Sequence, residues 1–326
     1  MAEKYQDILS TLGRSSSFSE SNERALLEPF TYITSTPGKD FRGGMMQAFN
    51  AWLQVPEATL RIIGNVISML HNASLLIDDI EDNSQLRRGR PVAHKIYGVP
   101  QTINSANYVY FLAFQEILAL KAQGAPETND AQGRLYSECD VDRIVTAELL
   151  NLHRGQGLDL LWRDSLRCPT EEEYISMVND KTGGLLRVAV KLMMACASQN
   201  ANVDYVPLVN LIGIYFQIRD DYMNLQNNEY ATNKGFAEDL SEGKFSFPIV
   251  HGIHADTTNR RLLNVLQKRP GSPTLKHHAI SYLRDHSKSF EYTREVLRTL
   301  EKQVVDEIER LGGNPMLLNV LQTLQI

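Results

Sequence analysis

The sequence predicts an all-α fold built as one large domain, and three observations carry this prediction. Apolar residues recur at the i, i+3, i+4, i+7 spacing of a buried helix face over residues 57–77. Strand-like alternation is rare between the turn signals, and no composition shift or internal repeat divides the chain. The helical period continues through the segments 103–120, 141–162, 171–198, 203–226 and 287–311.

Local signals bound these predicted helices in order along the chain. A break at 37–38 and Pro56 precede the long helix at 57–77. Thr170 stands before three glutamates, which predicts a helix N-cap followed by acids that complement the helix dipole. Further breaks are expected at 88–91, 98–100, 124–126, 168–169, 227–235, 270–273 and 312–315.

Composition limits the class of protein. The 326 residues are 43% hydrophobic and 22% charged, which is ordinary for a globular chain and excludes disorder throughout. The net charge of −6 argues against a nucleic-acid partner bound through a basic surface. Three cysteines, without CxxC spacing, indicate neither a disulfide framework nor a structural zinc site and fit a reducing compartment.

The hydropathy of the chain and its polar N-terminal end predict a cytoplasmic protein. Residues 1–25 lack the apolar segment of a signal peptide. No run of about 18 apolar residues occurs, so the sequence predicts no membrane span. We expect residues 1–22 to form a flexible tail and 23–326 to form the folded domain.

Four carboxylates follow an apolar run, and we call them the first acidic cluster: Asp78, Asp79, Glu81 and Asp82. Asp78 and Asp82 fall one turn apart on one helix face, where like charges destabilise a helix unless a cation lies between them. Carboxylates without Cys or His favour Mg²⁺ or Mn²⁺. The alternative is a solvated acidic helix end, although acids at a helix C-terminus oppose the helix dipole.

Basic residues accompany this cluster. Arg87, Arg88 and Arg90 come directly after it and form either a salt-bridge network or bidentate contacts to phosphate. His71 lies seven residues before Asp78, on the same face, as either a core histidine or a site residue. Acids that hold Mg²⁺ beside arginines that hold phosphate predict a diphosphate site.

A second acidic cluster follows another apolar run and consists of Gln217, Asp220, Asp221 and Asn224. These positions share one helical stripe, so their polar groups would be buried without partners unless a metal and a ligand satisfied them. The alternative is a polar patch between subunits or domains.

Both clusters resemble the aspartate-rich motifs of the trans-prenyltransferases, or polyprenyl diphosphate synthases, with Asn224 in place of the final aspartate. The resemblance covers about residues 25–315. Segments 71–84 and 155–159 are most similar to eukaryotic geranylgeranyl diphosphate synthases. Further segments that match the family in order are 38–42, 87–89, 181–184 and 243–248.

The resemblance implies a fold and a reaction. The family fold, of the isoprenoid synthase type, is a single-domain bundle of long helices around a deep central cavity, usually in a homodimer. The implied reaction is the Mg²⁺-dependent head-to-tail condensation of isopentenyl diphosphate with an allylic diphosphate (dimethylallyl, geranyl or farnesyl). It yields geranylgeranyl diphosphate and pyrophosphate, with about three Mg²⁺ per site and Mn²⁺ as a possible substitute.

The resemblance also implies roles for individual residues. Direct metal ligands are expected to be Asp78, Asp82 and Asp220, with Asp79, Asp221 and Asn224 acting around them or through water. Residues expected at the allylic diphosphate are Arg87, Lys181, Lys234 and Lys244, with Thr182 and Gln217 stabilising the allylic cation. Residues expected at isopentenyl diphosphate are Lys39, Arg42, His71 and Arg88. The pyrophosphate product is expected to take the proton.

Product length is expected to depend on residues near the first acidic cluster. Ala73 and Ser74 are small and leave space about one turn before Asp78. A deeper floor is expected from aromatic and histidine side chains, with ordinary core packing as the alternative. These floor residues are Tyr108, Tyr110, Phe111 and His153.

Three rival functions remain open at the sequence level. A class I terpene cyclase shares the fold and first motif, but it lacks a second substrate and the basic set that would bind it. A non-catalytic regulatory subunit of a prenyl synthase typically loses one acidic cluster, and this chain keeps both. The chain also fits the prenyltransferase part of a larger bifunctional terpene synthase.

Overall fold

The computed structural model describes residues 8–9, 18–36, 38, 40–122, 139–226 and 236–325. Most of the predicted tail, together with Lys39 and Lys234, lies outside the described residues. The all-α prediction is confirmed for the described part of the chain. The α-helices are α1 (Glu20–Leu26), α2 (Glu28–Thr34), α3 (Phe41–Leu53), α4 (Glu57–Glu81), α5 (Ala93–Tyr97), α6 (Val99–Ala122), α7 (Cys139–Ser165), α8 (Glu171–Ala195), α9 (Val206–Gln226), α10 (Glu238–Glu242), α11 (Phe247–His254), α12 (Arg261–Gln267), α13 (Pro273–Ser281), α14 (Ser289–Arg310) and α15 (Pro315–Gln322).

Two short features depart from regular α-helix. A π-helical turn, Tyr282–His286, continues directly from α13. The strands β1 (Leu86–Arg87) and β2 (Arg90–Pro91) form an antiparallel ribbon. Its turn uses left-handed backbone at Arg88 (φ 55°) and Gly89 (φ 75°), which matches the twist of a tight hairpin. Strands of two residues are too short to produce the alternation by which a sequence reveals them.

The helix boundaries follow from local chemistry. The predicted N-cap at Thr170 is confirmed. The Thr170 side chain accepts a hydrogen bond from the Glu173 backbone N–H, and the Glu173 carboxylate accepts one from the Thr170 backbone N–H. This reciprocal pair satisfies two N–H groups that an uncapped helix would leave unpaired. Helix α8 therefore begins at a fixed residue, which sets the register of the site residues two to three turns along it.

The long helices pack closely where small residues lie at their crossings. A Cβ atom on Gly155 of α7 would lie 2.4 Å from the Lys181 backbone nitrogen of α8. A Cβ atom on Gly213 of α9 would lie 3.2 Å from the Gly183 Cα of α8. These glycines allow the backbones of α7, α8 and α9 to approach closely. The contact at Gly155 brings the polar faces of α7 and α8 together.

Helix α4 is long and apolar enough, by length and composition, to cross a membrane, with a mean hydropathy of 1.4 over its most apolar window. The sequence predicted no such helix, because it contains no uninterrupted run of about 18 apolar residues. In the fold, 44% of that window is buried inside the protein. Its buried residues, among them Ile63, Val66 and Leu70, belong to the core.

Candidate active site

The first acidic cluster ends α4 and meets the β1–β2 ribbon. Arg87 donates from Nη2 to Asp78 Oδ2 at 3.1 Å and from Nε to Asp79 Oδ1 at 2.9 Å. Asp79 is buried, and Asp78 keeps 26% of its side-chain exposure. Burial opposes the charge on Arg87, but the Asp79 and Asp78 carboxylates outweigh it and raise the pKa of Arg87. Arg87 therefore stays charged beside the acids.

Two residues of α7, not anticipated from the sequence, complete this cluster. Arg163 donates from Nη1 to Asp82 Oδ1 at 2.6 Å and from Nη2 to the Glu81 carbonyl at 3.1 Å. Gln156 donates from Nε2 to Glu81 Oε2 at 2.6 Å. One signal pointed to such a partner: α4 has no basic residue in its last turn, so a cation had to come from another element.

Lys181 of α8 faces the same space as the cluster. It donates from Nζ to Asp159 Oδ2 at 2.6 Å, and Asp159 is another α7 residue that was not anticipated. Burial opposes the charge on Lys181, but Asp159 and Asp78 raise its pKa, which is also affected by Lys244 and Asp82. Lys181 therefore lies within electrostatic reach of the first cluster and of Lys244.

Asp221 is the buried centre of the second acidic cluster. Its Oδ2 accepts from the Tyr174 hydroxyl at 2.5 Å and from the Phe247 backbone N–H at 2.8 Å. Its Oδ1 accepts from Gln217 Nε2 and from Lys244 Nζ, each at 2.9 Å. The carboxylate thus joins α9 to α8, to the loop that carries Lys244 and to the start of α11.

The other members of the second cluster have distinct partners. Gln217 Oε1 accepts from the Thr182 hydroxyl at 2.6 Å, so the two residues predicted to stabilise an allylic cation contact each other. Asn224 Oδ1 accepts from the Asp239 backbone N–H at 3.2 Å, close to the first turn of α10. Asp220 lies half-buried on α9 beside Asp221.

Electrostatic interactions link the first acidic cluster to the carboxylates of α10. Burial, together with Asp82 and Asp239, raises the pKa of Glu242 well above its usual range, with a smaller contribution from Asp78. Burial and Asp78 raise the pKa of Asp82 to about 7, although Lys181 opposes the shift. Carboxylates from α4 and from the end of α10 therefore share one region, in which each disfavours the charge of the others.

Of the residues predicted to hold isopentenyl diphosphate, the described ones lie beside one another. Arg42 Nη1 lies 3.1 Å from His71 Nε2. Burial and Arg42 lower the pKa of His71 to about 2, so the imidazole is neutral and accepts from Arg42. Burial and Arg88 lower the pKa of Arg42 to about 10. Arg88 donates to the Thr36 carbonyl at 2.6 Å, at the segment leading towards Arg42.

The residues predicted to set product length separate into two groups. Ala73 is buried, and the Ser74 hydroxyl donates to the His71 carbonyl at 2.8 Å. Tyr110 is partly buried, with its ring centroid 6.1 Å from that of the exposed His153. Burial and Glu81 raise the pKa of Tyr110 to about 12, which places it within electrostatic reach of the first cluster.

The remaining aromatic residues of that predicted floor lie elsewhere. The Phe111 side chain is 70% exposed, so a single chain does not bring it to the bundle interior beside Tyr110. The Tyr108 hydroxyl donates to the Glu23 carboxylate of α1 at 2.7 Å. Successive residues on a helix point about 100° apart, which is why neighbours on α6 face different surroundings.

The donor set fits Mg²⁺. Carboxylate oxygens without Cys or His are the ligands that Mg²⁺ prefers, and few protein ligands suffice because water and substrate phosphates complete its coordination. Within the described residues no three His, Cys, Asp or Glu side chains converge as a preformed metal centre.

An all-α bundle whose acid-bearing helices α4 and α9 face lysines and arginines defines a class of metal-assisted diphosphate-binding proteins. Sequence comparison agrees: the family model described as "Polyprenyl synthetase" matches residues 23–283. The chain belongs to the polyprenyl synthetase family, whose members generally depend on Mg²⁺.

Named relatives resemble nearly the whole chain. A geranylgeranyl pyrophosphate synthase from Hericium erinaceus is 57% identical over 316 residues, covering 94% of this chain and 93% of the relative. A geranylgeranyl pyrophosphate synthase from Mucor circinelloides is 54% identical over 306 residues, covering 94% and 95%. A protein named IDS-like terpene synthase 1, from Melampsora lini, is 48% identical over 323 residues, covering 99% and 95%.

Proposed function

We propose that this chain is a prenyltransferase that condenses isopentenyl diphosphate with allylic diphosphates to give geranylgeranyl diphosphate and pyrophosphate. The observation that carries the proposal is the position of Lys181, which lies within electrostatic reach of Asp78, Asp82 and Lys244. Acids able to hold Mg²⁺ and lysines able to hold phosphate therefore face one space. The polyprenyl synthetase family and its geranylgeranyl pyrophosphate synthase members support the same reaction.

In this proposal the allylic diphosphate binds between the two clusters. Asp78, Asp82 and Asp220 would hold about three Mg²⁺, and these ions would supply positive charge against the leaving diphosphate. Lys181, Lys244, Arg87 and, from outside the described residues, Lys234 bind its remaining oxygens. Because Lys181 and Lys244 now pair with Asp159 and Asp221, diphosphate binding exchanges or shares these partners.

The side chains of Thr182 and Gln217 act on the organic cation. Their oxygen atoms are 2.6 Å apart, and their lone pairs stabilise positive charge that develops on the allylic carbon. A fixed hydrogen bond between them keeps these dipoles oriented before the reaction, so little reorganisation is needed during it.

Isopentenyl diphosphate binds on the other side, at Arg42, His71, Arg88 and Lys39. Arg42 and Arg88 are close enough for Arg88 to lower the pKa of Arg42, so an anion between them would relieve their repulsion. The neutral His71 imidazole orients Arg42 through its Nε2. Once the allylic C–O bond has broken and released pyrophosphate, the alkene of isopentenyl diphosphate attacks the allylic cation, and a proton lost from the resulting carbocation passes to the pyrophosphate.

The central experiment incubates the protein with isopentenyl diphosphate, Mg²⁺ and each allylic primer in turn, followed by measurement of product chain length. A twenty-carbon diphosphate is expected from dimethylallyl, geranyl and farnesyl primers. Absence of condensation with every primer would overturn the proposal. Replacing Mg²⁺ by Mn²⁺ tests whether the carboxylate ligands accept both ions.

A second candidate function, terpene cyclisation, has one supporting observation: the Melampsora lini relative, 48% identical, is named a terpene synthase. A cyclase needs a single prenyl substrate, so it would convert geranylgeranyl diphosphate to a hydrocarbon without isopentenyl diphosphate. Incubation with geranylgeranyl diphosphate and Mg²⁺ but without isopentenyl diphosphate, followed by extraction of hydrocarbon products, separates the two functions. The paired Arg42 and His71 favour the two-substrate reaction.

Product length provides a matched test within α6. Tyr110→Ala removes a partly buried ring near the first cluster and is expected to lengthen the product. Phe111→Ala serves as the control, because it removes a ring that is exposed in the single chain and is therefore not expected to change product length. Equal lengthening by Phe111→Ala would mean that this ring reaches the product through another arrangement, whereas unchanged products from Tyr110→Ala would remove Tyr110 from this role.

We also propose a homodimer formed through the outer faces of α6 and α7. These faces expose large apolar side chains, namely Phe111, Leu118, Leu150 and Leu161. Exposed apolar patches of this kind mark contact surfaces in stable proteins. Light scattering of the wild type is expected to give twice the chain mass, and Leu118→Glu with Leu150→Glu is expected to weaken the association.

A further inference from the structure

The C-terminal end of α4 presents an electrostatic difficulty. Asp78, Asp79, Glu81 and Asp82 crowd the end at which the helix dipole is already negative. Like charges one turn apart add a further penalty, and the last turn of α4 contains no basic residue. A metal-free protein must therefore balance this charge with cations from other elements.

Two arginines from different elements supply this positive charge. Arg87 of the ribbon binds Asp78 and Asp79. Arg163 of α7 binds Asp82 at 2.6 Å and also donates to the Glu81 carbonyl, a backbone group left unpaired by the end of the helix. Arg163 is only 8% exposed, so its charge is poorly screened by solvent.

We propose that Arg163 is a positioning residue: it is the counter-ion of Asp82 in the metal-free protein, and its charge limits how tightly Mg²⁺ binds there. This inference rests on the function proposed above. A fixed positive charge in contact with a metal ligand repels a divalent ion bound to the same carboxylate. By pairing with Asp82, Arg163 stabilises the fold around the acidic cluster when no metal is bound. By repelling Mg²⁺, it also weakens the binding of the pyrophosphate product.

Three variants separate charge from packing. Arg163→Gln removes the charge, Arg163→Lys keeps it, and Arg167→Gln removes a charge two residues past the end of the same helix. Arg167 is 54% exposed and pairs with Glu173, so it is a matched control without contact to the cluster. Each protein is titrated calorimetrically with Mg²⁺ in saturating inorganic pyrophosphate, and each is melted in chelator.

Arg163→Gln is expected to bind Mg²⁺ about ten-fold more tightly than the wild type. Its melting temperature in chelator is expected to fall, because Asp82 loses its partner. Arg163→Lys and Arg167→Gln are expected to retain wild-type Mg²⁺ affinity. Unchanged or weaker Mg²⁺ binding in Arg163→Gln would overturn the inference, as would weaker binding in Arg163→Lys, since orientation rather than charge would then matter.

The condensation assay on the wild type keeps this inference separate from the proposed function. Loss of the inference leaves condensation by the wild type intact. A wild type that binds Mg²⁺ with pyrophosphate but condenses no primer would contradict the proposed function. A purely structural role for Arg163 would lower the melting temperature in chelator and leave the Mg²⁺ titration unmoved, which also overturns the inference.

Discussion

The two acidic clusters resemble each other in sequence, yet the fold satisfies them differently. In the first, Asp78 and Asp82 each pair with one arginine, and their side chains retain 26% and 15% exposure. In the second, Asp221 is fully buried and receives hydrogen bonds from four donors, which lie on α8, on α9, in the loop that carries Lys244 and at the start of α11. The first cluster lies at a helix end, whereas the second lies along a packed helix face.

This difference indicates that two similar motifs have different roles, one in ligand binding and one in holding the helices together. A partly exposed carboxylate with one ionic partner can bind a metal at little structural cost, because the carboxylate oxygen outside the ion pair remains accessible. A buried carboxylate with a full set of donors fixes the elements around it, and removing any partner leaves a buried polar group unsatisfied. Asp221 is therefore an anchor for α8, α9 and the start of α11, while Asp78 and Asp82 are available to ligands.

The largest expected effect tests whether each cluster contributes an essential acid. Asp78→Ala and Asp220→Ala are each expected to reduce condensation by about 10³-fold, because charge on the leaving diphosphate loses its metal compensation. Steady-state assays with labelled isopentenyl diphosphate measure the loss, and circular dichroism checks the fold. Glu291→Ala, at an exposed position of α14, is the control. Wild-type turnover in either variant would remove that residue from the site.

The two clusters are also expected to differ in how much they contribute to the free energy of unfolding. Asp221→Asn is expected to lower the free energy of unfolding by about 3 kcal/mol, because Lys244 loses its buried counter-charge. Asp78→Asn is expected to change the free energy of unfolding by less than about 1 kcal/mol, since it also relieves repulsion within its cluster. Urea denaturation of both variants measures the difference. Equal losses would show that the clusters are anchored alike.

His71 on α4 is expected to make the free energy of unfolding sensitive to acid. The pKa of His71 is about 2 in the folded chain, below the ordinary value of about 6.5 expected when unfolded. Below about pH 6.5 the unfolded chain therefore binds a proton that the folded chain does not, and stability falls.

His71→Asn is expected to lose on average about 1 kcal/mol less per pH unit than the wild type as the pH falls from about 6.5 to about 5. Urea denaturation at several pH values measures the two slopes. Above about pH 7 the slopes should coincide, because His71 is then neutral in both states. Parallel curves below pH 6.5 would show that His71 takes up a proton in the folded protein.

The smallest expected effect concerns Asn224, where the family motif has aspartate. Its Oδ1 accepts from the Asp239 backbone, and aspartate would keep that acceptor oxygen. Asn224→Asp is therefore expected to change turnover by less than about three-fold. The added charge beside buried Asp239 should lower the melting temperature slightly. A large gain in turnover would instead make Asn224 a direct metal ligand.

Part of the site was predictable because its signals are local. Helical periodicity gave the all-α fold, and the spacing of acids on α4 and α9 gave both clusters. Among the partners supplied by α7, Arg163 was missed, and Gln156 and Asp159 were noted only within the matching segment 155–159, without a contact. Arg163 stands 81 residues from Asp82 in the chain, and no local pattern connects the two positions.

The orientation of neighbouring residues was also beyond the sequence pattern. Tyr110 and Phe111 are both aromatic and adjacent, so composition assigns them the same role. The packing of α6 partly buries the first and leaves the second 70% exposed. Which of two adjacent side chains faces the interior depends on how the helix is rotated against its neighbours, and that rotation is a tertiary property.

The sequence by itself determined the helices, the family and the identity of the acids, because periodicity, capping and motif spacing are local properties of the chain. Only the tertiary structure decided how each charge is balanced. It paired Asp82 with Arg163, buried Asp221 among four donors and left His71 neutral against Arg42. The reason is physical: burial and the distance between charges set these energies, and both arise only when distant segments pack together.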